Sequence, residues 1–572
     1  MQGFQGAMAR IRGFWWVVLS VSLWAGAVSA EVDVAPREGR RNLAINLAAP
    51  AAWSTEMPFI DQMHTATRWL GHLPGEWGGF DEDQLRAGGY MDDDGWILSV
   101  PPNVTHISTM VLTDLPAEMT SAEGRYVMSW EGTAYVGVTG AAYNVRYGRN
   151  ETRFDFRPGH GSVLVEFERG SVRNLRIIPE RHRAAYEAGQ IFNPDFVAHI
   201  ADMENLRFMD WGLTNNSRIV NWADRPQLSD YTWEGDGIPF EVMIDLANLV
   251  GAEPWLNIPH LATDDFVREL ATMVRGRLNP ELRAWYEFSN EIWNWQFDQA
   301  NWAEDNAQAR WSRDWGWAQF GAIRAAEVMR VLDEVYGAET DRRVRVLGMF
   351  TGWLGLEDEM LEAPDFMRES PDHVKPAEFF DAIAVTGYFT GNLHDSEKWP
   401  MIAEWLAQSR ALAESDADAQ GLTGRQRTEF IEQRRFDLAL DFAGAELYNG
   451  AISGNPENSV TDMVDRVFAY YASVAERYDL ALVMYEGGTH LVVHPEDHDN
   501  QDLIDFFIAL NYSPQMGDLY RFLIEGWNSL TPAPFNAYTD VVTPSIWGSW
   551  GHLRHLDDSN PRWDAMMQVT QR

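Results

Sequence analysis

From about residue 190 onward, the 572-residue chain alternates short strand-like apolar runs with long amphipathic helical segments. No other feature narrows the fold as much. Consecutive parallel strands need a long crossover, usually a helix, so the pattern predicts βα units around a parallel sheet. The runs fall at 206–210, 253–258, 284–289, 344–349, 382–387 and 480–485, with 536–540 and 546–550 near the end. The stretch 390–460 is acidic, helical and loop-rich and reads as a long insertion. Upstream, 42–48 (NLAINLA) reads as a short buried strand, followed by a helix-like stretch through Trp69. Between about 96 and 178 the texture differs. Runs such as RYVMSWEG, TRFDFRPG and SVLVEFERG alternate polar with apolar and are separated by Gly-containing turns, the pattern of a β-sandwich.

Composition excludes several classes of partner. The formal charge is -40. A field of that sign repels phosphate backbones and anionic lipid surfaces, so nucleic acid is not an expected partner. The absence of cysteine rules out disulfides, thiolate metal sites and a cysteine nucleophile. Arg10 and Arg12 precede an apolar segment at 14–28 and a small-x-small site at Val28-Ser29-Ala30, which predicts a signal peptide over 1–30 and a secreted or periplasmic protein. That segment is short for a membrane span, and no other apolar run reaches spanning length. The sequence carries no P-loop, GxGxxG, HExxH or GxSxG motif, and no cofactor is expected.

Chemistry concentrates in two segments. Trp285–Trp295 (WYEFSNEIWNW) is an apolar strand that ends in Asn290-Glu291 and runs into aromatics. Residues 480–488 (LALVMYEGG) form an apolar strand that ends in Glu486 and a Gly pair. Two glutamates at the carboxyl ends of parallel strands suit glycoside hydrolysis. One stays protonated to serve the leaving oxygen, and the other is ionised to attack or to activate water.

These segments resemble clan GH-A glycoside hydrolases, retaining enzymes on (β/α)8 barrels. The resemblance implies that Glu291, after Asn290, is the acid/base at the end of strand 4, and that Glu486 is the nucleophile at the end of strand 7. It further implies supporting roles for Arg207 and Tyr388 beside the nucleophile and for Asn290 at the sugar 2-hydroxyl. Trp547 would form the floor of the subsite at the cleaved bond. His260 and Asp210, at the ends of strands 3 and 2, would face the same rim, and Trp293, Trp295 and Trp550 are candidate sugar platforms. A retaining mechanism requires the two carboxyls to lie about 5–5.5 Å apart.

Strand counting tests the resemblance. Three strands must precede Glu291, and only two occur between 190 and 284, so 42–48 must be the first. The sandwich is then inserted after it. Two candidates stand between Glu291 and Glu486, as strands 5 and 6 require, and the 536–550 region supplies strand 8. The expectation is an α/β chain: a (β/α)8 TIM barrel with an N-terminal-side β-sandwich insertion. Its first strand and helix lie in 31–74, the sandwich in 75–189 and the rest of the barrel in 190–572. The expected partner is a polysaccharide or oligosaccharide, and neutral β-linked chains suit a Trp-rich cleft.

Competing readings attach to several residues. Glu287 shares strand parity with Glu291 and would point into the barrel, paired with an Arg such as Arg207. His490, His494 and His498 are spaced by four, as a helical metal site wants, but Pro495 opposes a continuous helix, and no metal site is expected there. The functional rivals are a sugar-binding barrel without chemistry and a metal-dependent hydrolase using the His490–His498 loop.

Overall fold

Eight strands, each parallel to the next, close on themselves into a barrel in this computed structural model. The structure describes residues 32–568, so the export segment expected at 1–30 lies outside the described residues. In chain order the barrel strands are Leu43–Asn46, Asn205–Arg207, Glu253–Ile258, Ala284–Phe288, Arg343–Gly348, Ala382–Phe389, Ala481–Thr489 and Phe535–Ala537. The first strand pairs with the second on one side and with the eighth on the other, which closes the ring. Every residue of the first four strands is buried. That is the consequence of covering a parallel sheet on both faces, with helices outside and packed side chains inside.

The helices carry their own start and stop signals. Asp264–Arg277 follows the third strand. The Thr263 hydroxyl caps it by accepting from the Phe266 N–H, acidic residues open it, and Arg275 and Arg277 close it. Its buried face is Phe266, Val267, Leu270, Ala271 and Val274, a helical stripe laid on the barrel. The insertion between the sixth and seventh strands contains three further helices, Trp399–Ala419, Gly424–Arg434 and Asp437–Asn449. Among the described residues no helix is long and apolar enough to cross a membrane.

The β-sandwich interrupts the barrel after its first strand. One sheet has the order Val172–Pro179, Gly124–Gly132, Glu151–Phe156, Tyr143–Tyr147; the other has five strands centred on His106–Val111. Glu151–Phe156 and Val163–Phe167 show the strict in–out alternation that one buried face demands. The five-stranded sheet also takes in Leu70–His72, ahead of the boundary expected at 75. Three residues are too few for an alternation to show in sequence.

Sandwich and barrel are joined by a buried polar seam. Trp69 stacks on Tyr231, a residue of the loop after the second barrel strand, with centroids 5.4 Å apart. The Tyr231 hydroxyl donates to Glu82 at 2.5 Å and accepts from the Trp69 N–H at 3.1 Å. Tyr231→Phe keeps the stack and strips the donor from a buried carboxylate, so it should lower stability by about 1–3 kcal/mol. Urea unfolding followed by Trp fluorescence measures this; an unchanged midpoint would show that the hydroxyl contributes nothing to the seam.

Candidate active site

The fourth and seventh barrel strands end in unusual backbone. Ser289 and Glu291 both sit at positive φ, 57° and 35°, on either side of Asn290. Neither residue adopts this region cheaply, so the surroundings must impose it. They do. The Ser289 N–H donates to the Ile258 carbonyl at 2.7 Å, the Asn257 amide to the Ser289 carbonyl at 2.8 Å, and the Gln299 amide to the Asn290 carbonyl at 2.8 Å. In the seventh strand the register slips by one residue: Val385 pairs with Met484, but Thr386 pairs with Glu486. The extra residue is a bulge. In a regular strand, neighbours point to opposite faces; here both Tyr485 and Glu486 line the same cavity.

That cavity, about 840 Å³, opens at the carboxyl ends of the strands and brings Glu291 and Glu486 together. The Glu486 carboxylate is held at both oxygens. Oε1 accepts from Arg207 Nη1 at 2.7 Å and Oε2 from the Tyr388 hydroxyl at 2.9 Å. Glu291 accepts from the Tyr485 hydroxyl at 3.1 Å through Oε1 and from the Asn294 amide at 3.0 Å through Oε2. Arg207 lies beneath, fully buried. It also donates to Glu287 Oε2, to Asn46 Oδ1 and to Asn290 Oδ1. Glu287 therefore points into the barrel and pairs with Arg207, as its strand parity predicts.

Burial pushes the Glu486 carboxyl up, to about 8, and the charge of Glu291 pushes the same way; Arg207 and the Tyr388 hydroxyl oppose both. Burial and the neighbouring carboxylates drive the phenols of Tyr388, Tyr485 and Tyr538 well above the usual range, so all three remain protonated donors. The two carboxyls line one cavity above a single buried cation, and the charge of Glu291 opposes the ionisation of Glu486. A proton donor beside a carboxylate is what acid-assisted nucleophilic substitution requires.

The other expected site residues separate into two groups. Asn290, Tyr388, Trp293 and Trp295 line the cavity, and so does Trp550. Asp210 sits one step behind, accepting from the Tyr538 hydroxyl at 3.3 Å; burial raises its carboxyl to about 6. His260 does not line the cavity. It is buried against the Trp302 ring, which pushes its imidazole down to about 4. Trp547 is 63% exposed and also lies outside the cavity lining. The eighth strand stops at Ala537, and the chain doubles back at a Ser545–Gly548 bridge that carries Trp547 out against His498. Tyr538 and Trp550 occupy the cavity wall instead. His490 joins that wall, 5.1 Å from the Trp550 ring, while His494 neighbours Trp399 and His498 bonds the Val493 carbonyl. The three imidazoles thus face different neighbours, and among the described residues no group of three potential ligands could hold a metal ion.

No protein-family model matches the chain, and no curated protein matches it. Solved structures similar to this chain at low identity include these two. The first is the CBM22-1–GH10 part of the Clostridium thermocellum endo-1,4-beta-D-xylanase 10B, solved with xylohexaose: 9% identity over 84% of this chain and 96% of that one, TM-score 0.32. The second is Bacteroides uniformis beta-glucuronidase 2, covalently bound to cyclophellitol-6-carboxylate aziridine: 8% identity over 79% and 47%, TM-score 0.27. At those scores the likeness bears on neither activity nor substrate.

Arg207→Met would leave Glu287 and Glu486 buried without their cation, a loss of about 3–5 kcal/mol. The pH dependence has a definite sign. A carboxyl raised in the folded state loses stability as pH climbs from the unfolded value, about 4.3, through the folded value, about 8 for Glu486. Without Arg207 that folded value rises further. The stability gap between wild type and the Arg207→Met protein should therefore be larger at pH 8 than at pH 5. Thermal melts at the two pH values decide it, and an equal gap would mean that Arg207 does not neutralise Glu486.

Proposed function

We propose that this chain is an exported glycoside hydrolase of the retaining type, akin to clan GH-A, acting on a neutral, β-linked polysaccharide or oligosaccharide. One observation carries the reading: two glutamates from the carboxyl ends of barrel strands 4 and 7 line a single cavity, one gripped by Arg207 and Tyr388, the other by Tyr485 and Asn294. In this reading Glu486 must be ionised to react, against the burial that holds its carboxyl up; Arg207 and the Tyr388 hydroxyl supply the opposing pull. Glu291 gives its proton to the glycosidic oxygen while Glu486 attacks the anomeric carbon. The bond to the leaving sugar breaks and a glycosyl ester forms on Glu486. Water then attacks that carbon, loses a proton to Glu291, and Glu486 departs as carboxylate. Asn290, whose Oδ1 is committed to Arg207 and whose amide nitrogen donates to Asn215 Oδ1 at 3.2 Å, has its second amide N–H to offer a sugar hydroxyl. The cavity lining contains no Lys or Arg, which supports an uncharged substrate. Trp293, Trp295 and Trp550 supply apolar faces for sugar rings. The segment at 1–30 would direct export, and the mature N-terminus would then be Glu31.

Glu486→Ala should abolish turnover of an activated aryl glycoside, and azide should restore it with a product of inverted anomeric configuration, followed by proton NMR. Turnover that survives Glu486→Ala would overturn the assignment, and glycan binding without turnover in the wild type would favour a sugar-binding barrel. Tyr388→Phe removes a hydrogen bond that favours the ionised nucleophile. The acid limb of kcat/KM should move to higher pH by up to about one unit; a limb that stays put or moves down would remove Tyr388 from this role.

A further inference from the structure

A second groove lies away from the catalytic cavity, where the sandwich meets the barrel. Its volume is about 550 Å³, and it shares no lining residue with the first. One wall is the sandwich, with Leu70, Met110 and Trp77. The other is Glu234 and Gly235, from the loop after the second barrel strand, with Arg68 between them. The insertion springs from the carboxyl end of the first barrel strand, and the 230–237 loop follows the second. Both therefore belong to the barrel face that carries the catalytic cavity.

Trp77 is the unusual member. It is 65% exposed, yet its ring is braced. The His72 imidazole meets it edge-on at 4.4 Å, and that imidazole is itself fixed. Its Nδ1 accepts from the Gly78 N–H at 2.9 Å, its Nε2 bonds the Ser108 hydroxyl at 2.7 Å, and its face stacks on His106 at 4.1 Å. A large apolar face is thus kept open to water at a set angle above a groove. The opposite side offers hydrogen-bonding groups. Arg68, which lines the groove, donates to Asp236 at 2.6 Å through one of its nitrogens. The half-buried Glu234 carboxyl accepts no hydrogen bond among the described residues, and burial raises its proton affinity. The floor is rigid, because Trp69 beneath it is locked to Tyr231 and Glu82 by the seam.

We propose that this groove is a second glycan-binding site, with Trp77 stacking on a neutral sugar ring while Arg68 and Glu234 bond its hydroxyls. One aromatic face opposed by a mixed donor and acceptor edge matches a pyranose, which has an apolar face and a rim of hydroxyls. Asp81, Glu82 and Asp83 also line the groove, but a single ring is not a cage for a cation. Placed on the catalytic face, the site would tether a long chain near the cavity and raise its effective concentration there.

Native affinity electrophoresis tests this on the full-length mature protein in gels containing β-glucan, xylan or glucomannan, with Glu486→Gln in the background to prevent digestion. In at least one of the three, the Trp77→Ala protein should bind about tenfold more weakly than its parent, and Trp77→Tyr should recover part of the loss. With Glu486 intact, turnover of a short aryl glycoside should be unchanged by Trp77→Ala, while degradation of the retarding polysaccharide should slow severalfold. Equal retardation of parent and Trp77→Ala protein in every gel would overturn the proposal, as would Trp77-dependent binding of tetramethylammonium in place of sugar. Circular dichroism melts confirm that the variants are folded. The two readings fail separately. Trp77-dependent retardation without turnover in the wild type would sink the catalytic assignment alone, and turnover without Trp77-dependent retardation would sink this one alone.

Discussion

Arg207 is the residue on which the centre of the barrel depends. Its guanidinium is fully buried, and all five of its N–H groups have acceptors: Glu287 for Nε and Nη2, Asn46 and Glu486 for Nη1, Asn290 for the rest of Nη2. Those acceptors come from the first, fourth and seventh strands and from the turn after the fourth, while Arg207 itself ends the second. One side chain therefore ties together strands far apart in sequence. A buried cation is costly to desolvate, and a fully satisfied network is the condition under which it is tolerated. Here the network also fixes the orientation of Glu486 and of the Asn290 amide. The stability of the barrel and the geometry of the cavity rest on the same five bonds.

Two of the positive-φ residues of the chain stand where the cavity needs them. The positive φ of Ser289 and Glu291 turns the chain sharply after the fourth strand, and Asn257, Gln299 and the Ile258 carbonyl hold the turn in place. The bulge in the seventh strand does the corresponding work on the other side. It lets Tyr485 reach Glu291 while Glu486 reaches Arg207. A regular strand would have sent one of the two outward and left a carboxyl without its partner. Gly488, at φ +140°, follows directly and presses its backbone against the Tyr520 hydroxyl, a position with no room for a Cβ. Both strand ends that carry the glutamates are irregular, while strands 1 to 6 pair in unbroken register around the barrel.

The parts of this arrangement that were legible in sequence are those set by period and count. Parity put Glu287 inside the barrel, and counting strands put 42–48 ahead of the sandwich and closed the ring at eight. The strand-terminal glutamates were legible because a polar residue at the end of an apolar run is conspicuous. The residues that escaped are those placed by backbone irregularity or by loops. Tyr485 has the wrong parity for the cavity until the bulge is known. Asn215 and Gln299, which bond to each other at 2.6 Å and support Asn290, lie in a loop and on a helix face with no periodic signature. Trp547 was expected at the cavity floor because the run at 546–550 resembles a strand; the real eighth strand is only Phe535–Ala537, and Tyr538 follows it directly. His260 follows the third strand by two residues and packs against the Trp302 ring, outside the cavity lining.

A few of the tryptophans serve the charge balance as well as the packing. Of 26 tryptophans, three lie in the apolar segment at 14–28, and only Trp293, Trp295 and Trp550 line the catalytic cavity. Several of the others do electrostatic work in the core. The Trp255 indole donates to Glu287 at 2.9 Å and the Trp285 indole to Glu253 at 2.6 Å, while the two rings stack at 5.2 Å. Trp311 donates to Glu369 in the same way nearer the surface. Indole is the one large apolar side chain that carries a donor and no acceptor, so it can fill a core and solvate a carboxylate at once. In a chain with 85 acidic residues against 45 basic ones, cations are too few to pair every carboxylate. At Glu287 the Trp255 indole adds a donor beside Arg207, whose charge is shared with Glu486. Glu253 and Glu369 hold an arginine each, Arg283 and Arg310, as well as their indoles.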